Sequence, residues 1–181
     1  MLHRFSVLCA VAVLAAALTA APSTMAARPC KSAGAKPSNV AKRVAVRATL
    51  CTLNRQRARH GLRRLKLNKR LSRAARRHAR DMVRRDYFGH ESPGGATFVD
   101  RIRRTGYLRG ARSWTLGENL AWATYDRATP RVITAMWMRS AGHRANIVHA
   151  SFREVGIGVV LGAPDASAPG ATYVTDFGAK R

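Results

Sequence analysis

Val155-Gly156-Ile157-Gly158-Val159-Val160-Leu161 is where the chain changes its period. Val155, Ile157, Val159 and Leu161 alternate with residues that include two glycines, which is the two-residue repeat of a strand. Tyr173 to Phe177 is a second apolar stretch, and Gly162 to Gly170 between them, rich in Gly, Pro, Ala and Asp, reads as a hairpin loop. Upstream the repeat is helical. Leu71, Ala74, Ala75, His78, Ala79 and Met82 recur at three and four residues while Arg73, Arg76, Arg77, Arg80 and Arg84 fill the other faces, which predicts an amphipathic helix ending near Tyr87. Val44, Ala48 and Cys51 place an earlier helix over roughly 40–60, stopped by Gly61. Thr97 can cap a short helix from Phe98 to Thr105 that Gly106 ends, and Thr129-Pro130 opens another over roughly 130–139. Helices first and strands later predict an α+β layered domain.

The N-terminal end reads as an export signal. Met1 to Arg4 is short and basic, Val7 to Leu18 is almost wholly apolar, and small residues follow around Ser23 to Ala27. The apolar run Phe5 to Ala21 falls short of the roughly 20 residues that span a bilayer. Residues 1–27 are therefore expected to be removed, leaving a secreted, extracellular chain with one domain and no transmembrane segment. Residues 28–45 read as a flexible basic tether and 46–181 as the domain. Cys9 leaves with the signal, so Cys30 and Cys51 remain as an even pair in a compartment where disulfides persist, and they are expected to bond. A loop of this size stabilises by roughly 3 kcal/mol through chain entropy.

Charge is the strongest compositional signal: 33 Lys and Arg against 9 Asp and Glu give a net charge of +24. Between Lys42 and Arg85 there are 17 basic residues and one acid, Asp81, so one region carries a strong positive potential. For an exported protein this points to anionic envelope polymers or lipid headgroups. A GC-rich genome would also enrich arginine without any selection for binding, and both explanations stand at this level.

Three polar residues sit in unusual places. His90, in Phe88-Gly89-His90-Glu91-Ser92-Pro93, follows the second helix in a turn; Pro93 and Gly94 deny it the helical His-Glu-x-x-His zinc motif. Glu118, in Gly117-Glu118-Asn119-Leu120, stands in an apolar run and needs a donor, a cation or a metal if buried. His143, in Gly142-His143-Arg144-Ala145-Asn146, reads as a second turn histidine after a helix. Two imidazoles and a carboxylate suit a divalent metal such as zinc, or a proton-transfer set. His78 lies on the apolar face of its helix and reads as a core histidine.

Asn54-Arg55-Gln56-Arg57 with Gly61-Leu62, the His90 turn, Gly117-Glu118-Asn119, Trp137 with Gly142-His143-Arg144, and Gly156-Ile157-Gly158, taken in this order, resemble the bacterial branch of the CAP superfamily of cysteine-rich secretory, antigen-five and pathogenesis-related proteins. The resemblance runs from about Val46 to Gly178. It implies a three-layer α-β-α sandwich, secretion, and an open cleft where two histidines and two acids gather and where some relatives bind divalent cations. His90 and His143 match the histidines and Glu118 the acid of the Gly-Glu-Asn motif. Ser140 stands where many eukaryotic relatives carry the fourth acid, which weakens the case for a bound cation; Glu91 and Asp176 are the available substitutes. The combined expectation is a ligand cleft of His90, Glu118, His143 and Ser140, with His90 and His143 as metal ligands should a metal bind.

Three functions are compatible with these residues. A secreted binding protein, taking an envelope polymer, lipid or other ligand through the cleft and basic face, fits the charge and the lost acid. A hydrolase, metal-assisted or histidine-dependent, would work in the same cleft and requires His90 and His143 within about 5 Å. Specific nucleic-acid binding rests on charge alone, with no recognition motif and with export against it.

Overall fold

The structure, a computed structural model, describes residues 29–164 and 166–181; the expected signal, residues 1–27, lies outside the described residues. Helices α1 (Lys42–Arg59), α2 (Lys69–Arg84), α3 (Phe98–Arg104), α4 (Pro130–Arg139) and α5 (Ala141–Ile147) surround a sheet of β1 (Lys66–Leu67), β2 (Trp114–Thr124), β3 (Glu154–Ala163) and β4 (Ala166–Lys180). The sheet order is β1-β3-β4-β2, with β1 parallel to β3 and the other pairs antiparallel.

The two faces of the sheet are covered differently, and strand alternation dictates how. Val155, Ile157 and Val159 of β3 and Tyr173 and Phe177 of β4 point to one side, where they join Leu53 of α1, Ile133 and Trp137 of α4 and Ile147 of α5 in the main core. The opposite face, Val174 of β4 and Leu120 of β2, packs on Ala75, Ala79 and Met82 of α2, while Ile102 of α3 joins Leu71 and Ala74 nearby. This is the three-layer α-β-α arrangement of an α+β domain.

Gly156 and Gly158 decide how close α2 can come. A Cβ at Gly158 would lie 2.6 Å from the Ala75 carbonyl carbon, and one at Gly156 would overlap the backbone of Leu71 and Ser72. The helix backbone therefore rests directly on β3, with Ser72 Oγ accepting from Ile157 N at 3.3 Å. Alternation at 155–161 thus carries two messages: apolar residues for the main core, and absent side chains for α2.

Helix boundaries follow their sequence signals closely. Thr97 and Asp100 form a reciprocal capping box at α3, and the Thr129 side chain accepts from Val132 N with Pro130 at the first position of α4. Gly61 and Gly106 take positive φ, 66° and 77°, just past their helices. Three expectations change. The strands run through most of the expected 162–170 loop, because β3 and β4 keep pairing up to Ala163 and Ala166. Residues 114–124, read only as an apolar run, form an edge strand bonded along its length to β4. His143 lies on α5 rather than in a turn.

The stretch expected to be a flexible tether is held to the domain, and α1 begins at Lys42, inside it. Cys30 and Cys51 are disulfide-bonded, Arg131 N donates to Ala33 O at 2.8 Å, and Lys36 Nζ pairs with Asp126 at 2.7 Å. Pro37 is buried and Val40 packs on the main core. A poor supply of large apolar groups is offset here by one covalent bond and backbone contacts.

If Gly156 is required for the helix–strand approach, Gly156→Ala should lower unfolding free energy by about 3 kcal/mol in a urea melt. Gly94→Ala, where nothing lies within 4 Å of the added carbon, should stay within about 0.5 kcal/mol.

Candidate functional site

Helix α2 positions the first histidine through the second. His78, fully buried, donates from Nε2 to the Gly89 carbonyl at 2.9 Å and so fixes the turn that carries His90. The Tyr87 hydroxyl approaches His78 Nδ1 at 3.4 Å and donates to Asp81 Oδ2 at 2.6 Å. Burial first, then the neighbouring charge of Arg101, holds the His78 pKa below its ordinary value, which favours the neutral ring.

His90 donates from Nδ1 to Glu118 Oε1 at 2.8 Å. The imidazole is 56% exposed, whereas the Glu118 side chain is 1% exposed, so a buried carboxylate orients a histidine that faces solvent. The same carboxylate receives Arg101, whose Nη2 lies 2.8 Å from Oε2 and 3.1 Å from Oε1. Arg101 also donates to the carbonyls of His90 and Ala96 at 2.8 Å, so one α3 side chain closes both the ion pair and the turn. Burial opposes the Glu118 charge, yet the His90 hydrogen bond and the Arg101 guanidinium outweigh it and hold the carboxyl below the usual range.

Asp176 sits beside Glu118 in the β2–β4 register, fully buried, with Oδ1 unpartnered among the described residues. Burial and the neighbouring Glu118 charge push its pKa well above the ordinary value, against the opposing effect of Arg101. Side by side in a dry environment, the two carboxyls are driven apart: Asp176 towards its protonated form and Glu118 towards its ionised one. Glu91, the other candidate substitute, is an exposed loop residue.

His143 arrives from the opposite layer. Asn119 Nδ2 donates to the His143 carbonyl at 3.0 Å, and Asn146 Nδ2 donates to Glu118 O at 3.1 Å and Asn119 Oδ1 at 2.8 Å. Gly117 leaves room for this clasp, since a Cβ there would lie 2.6 Å from Asn146 Oδ1. Farther back, Arg57 is buried and donates to the carbonyls of Ile147 (2.8 Å), His149 (3.0 Å) and Phe152 (3.2 Å), anchoring the end of α5. Burial first and then the charge of His90 lower the His143 pKa. His143 and Ser140 line a cleft of about 360 Å3 with Phe88, Trp122 and Met136.

The expected residues are therefore brought together in two parts: His90 bonded to Glu118, and His143 with Ser140 in the adjoining apolar cleft. The donors fit a divalent metal poorly. Glu118 is already neutralised by Arg101, and no group of three His, Cys, Asp or Glu is placed to hold a metal ion among the described residues. Sequence reasoning missed Arg101, one arginine among many with no motif around it. Asn119 and Asn146 stood inside quoted motifs without a role.

Two outcomes follow from the charges. Glu118→Gln leaves Arg101 without its partner and should cost about 3 kcal/mol, whereas Asp176→Asn, which keeps a donor towards Glu118, should change stability by under about 1 kcal/mol at pH 7 in denaturant melts. His78 and His143 refuse protons that the unfolded chain accepts below about pH 6.5, so stability should fall as pH drops from 7 to 5. Glu118 contributes a separate loss at lower pH, below the ordinary carboxylate range, as pH falls through its depressed folded value. His78→Gln should make the fall between pH 7 and 5 shallower.

A family model for the cysteine-rich secretory protein family, CAP, matches residues 50–176. YkwD of Bacillus subtilis, described as an uncharacterized protein, is 35% identical over 107 residues, covering 59% of this chain and 39% of YkwD. The B. subtilis protein YlbC, described as an uncharacterized membrane protein, is 29% identical over 57% of this chain and 28% of its own length. The chain thus matches well under half the length of these curated relatives. Among solved structures, an extracellular SCP-domain protein of Bacillus anthracis superposes with a TM-score of 0.54 at 24% identity, covering 76% of this chain and 43% of that one. An outer surface protein of Borrelia burgdorferi gives 0.59 at 18% identity, with 78% and 97% covered. These two likenesses concern the fold.

Proposed function

This chain belongs to the cysteine-rich secretory protein (CAP) family, and from that premise we propose that it is exported by residues 1–27 and acts as a non-catalytic binding protein. Its ligand cleft is the depression beside His143 and Ser140, and its basic face gathers anionic envelope material. The similar proteins of B. anthracis, extracellular, and B. burgdorferi, an outer surface protein, support export. No helix among the described residues is long and apolar enough to cross a membrane.

What favours binding over chemistry is Arg101. By pairing with Glu118 it satisfies the buried carboxylate internally, so the site needs no metal to be electrically complete. Next to it, Phe88, Trp122 and Met136 offer an apolar surface in which a lipid chain or similar apolar group can leave water. Phe88, 47% exposed, presents part of its ring at the mouth of this cleft.

A histidine-dependent hydrolase is the second reading, supported by the His90–Glu118 hydrogen bond: a buried carboxylate that holds Nδ1–H leaves Nε2 as a base facing solvent. It lacks a ready nucleophile. Ser92 Oγ accepts from Arg101 Nη1 at 3.4 Å, and Ser140 caps the junction of α4 and α5 without lying in a nucleophile motif.

Titration with cis-parinaric acid, followed by its fluorescence, separates the two. Trp122→Ala should weaken binding by at least about tenfold, with the fold retained in circular dichroism. Hydrolysis of ester or peptide substrates that His90→Ala abolishes would replace the binding reading with the enzymatic one.

A further inference from the structure

A second cleft, of about 400 Å3, lies between α2 and the segment leading into α3, and its rim carries Arg77, Arg85 and Arg104. All three are exposed. Among the described residues neither Arg77 nor Arg104 forms a hydrogen bond or ion pair, unlike Arg101 at the base of the cleft, whose donors are committed to Glu118 and to carbonyls. Asp81, the one acid in the lining, is already engaged by the Tyr87 hydroxyl at 2.6 Å and by Arg85 at 3.7 Å. Arg77 and Arg104, without such a partner, therefore line one concave volume together with Arg85, whose charge Asp81 offsets.

From this cleft the positive charge continues in a line. Arg73, Arg77, Arg80 and Arg84 are spaced four, three and four residues apart on the exposed side of α2, which sets neighbours about 5–6 Å apart. We propose that this cleft and ridge form a binding site for a linear polyanion bearing phosphate groups, one phosphate seated among Arg77, Arg85 and Arg104 and the following ones along α2. Guanidinium forks bind phosphate oxygens in bidentate pairs, and a linear polyphosphate brings one charge per closely spaced phosphate to the repeated arginines of α2. A bilayer surface fits poorly, because the apolar lining consists of Ala74 and Ala96, with no large side chain to insert. The site rests on the proposed binding role but is separate from the cleft at His143.

The probe is linear polyphosphate, titrated into the purified protein by calorimetry at low and moderate salt. Arg77→Ala with Arg104→Ala should weaken binding by about tenfold or more. Arg109→Ala with Arg112→Ala removes the same charge from exposed residues outside the cleft and should change affinity by less than about twofold. His143→Ala should leave polyphosphate binding unchanged, so failure of the apolar-cleft reading and failure of this one are told apart. Equal losses in the two double variants would reduce the effect to net charge and overturn the site. Phosphatidylglycerol vesicles binding as tightly, with the same dependence on Arg77 and Arg104, would overturn the polymer assignment, as would indifference to salt.

Discussion

The close approach of α2 to β3 is the constraint from which the site follows. Gly156 and Gly158 remove two side chains, the helix backbone settles on the strand, and His78 is thereby buried beneath the turn it must hold. A helix standing farther from the sheet would leave the Gly89 carbonyl without its donor and His90 without a fixed direction. Packing, at this point, is also positioning. The same contact carries arginines on the outward side of α2, so the residues that build the core and the residues that charge the surface share one helix.

Glu118 is the electrostatic centre of the site, paired with His90 and Arg101. A buried carboxylate has to be neutralised by something, and here the partner comes from α3 instead of from a bound ion. The consequence spreads to both sides. His90 is oriented by Glu118, while Asp176 is left beside an anion in a dry environment, which pushes its carboxyl pKa up. A site with its own internal cation differs in kind from one that awaits a metal, although both can be written with the same two histidines and a glutamate.

Much of the architecture was legible because its signals are local. Thr97 with Asp100, Thr129 with Pro130, and Gly61 and Gly106 mark helix ends through backbone hydrogen bonding and φ, which depend on few neighbours. Residues 114–124 were harder. Leu116, Leu120, Ala121 and Trp122 do not alternate, because the strand buries Leu120 against α2 and Ala121 against the main core, so both faces are apolar. For α5, Gly142 and the short length hid a helix whose stability comes from Asn146 and Arg57 rather than from propensity. The composition of residues 28–45 reads as a tether, whereas a disulfide and a few backbone contacts tie the segment to the domain through residues far away in the chain.

By itself the sequence determined the family, the layered α+β plan and the Cys30–Cys51 bond, and it singled out His90, Glu118 and His143 as candidates. Each is written in short-range spacing or in residue types whose chemistry is restrictive. Only the tertiary structure decided that Arg101 faces Glu118, that Asp176 stands beside them, and that His143 opens into an apolar cleft while Arg77 and Arg104 line a cationic one. Those relations join residues far apart in the chain, and one arginine among 33 basic residues carries no mark of its partner until the fold brings the two within 2.8 Å.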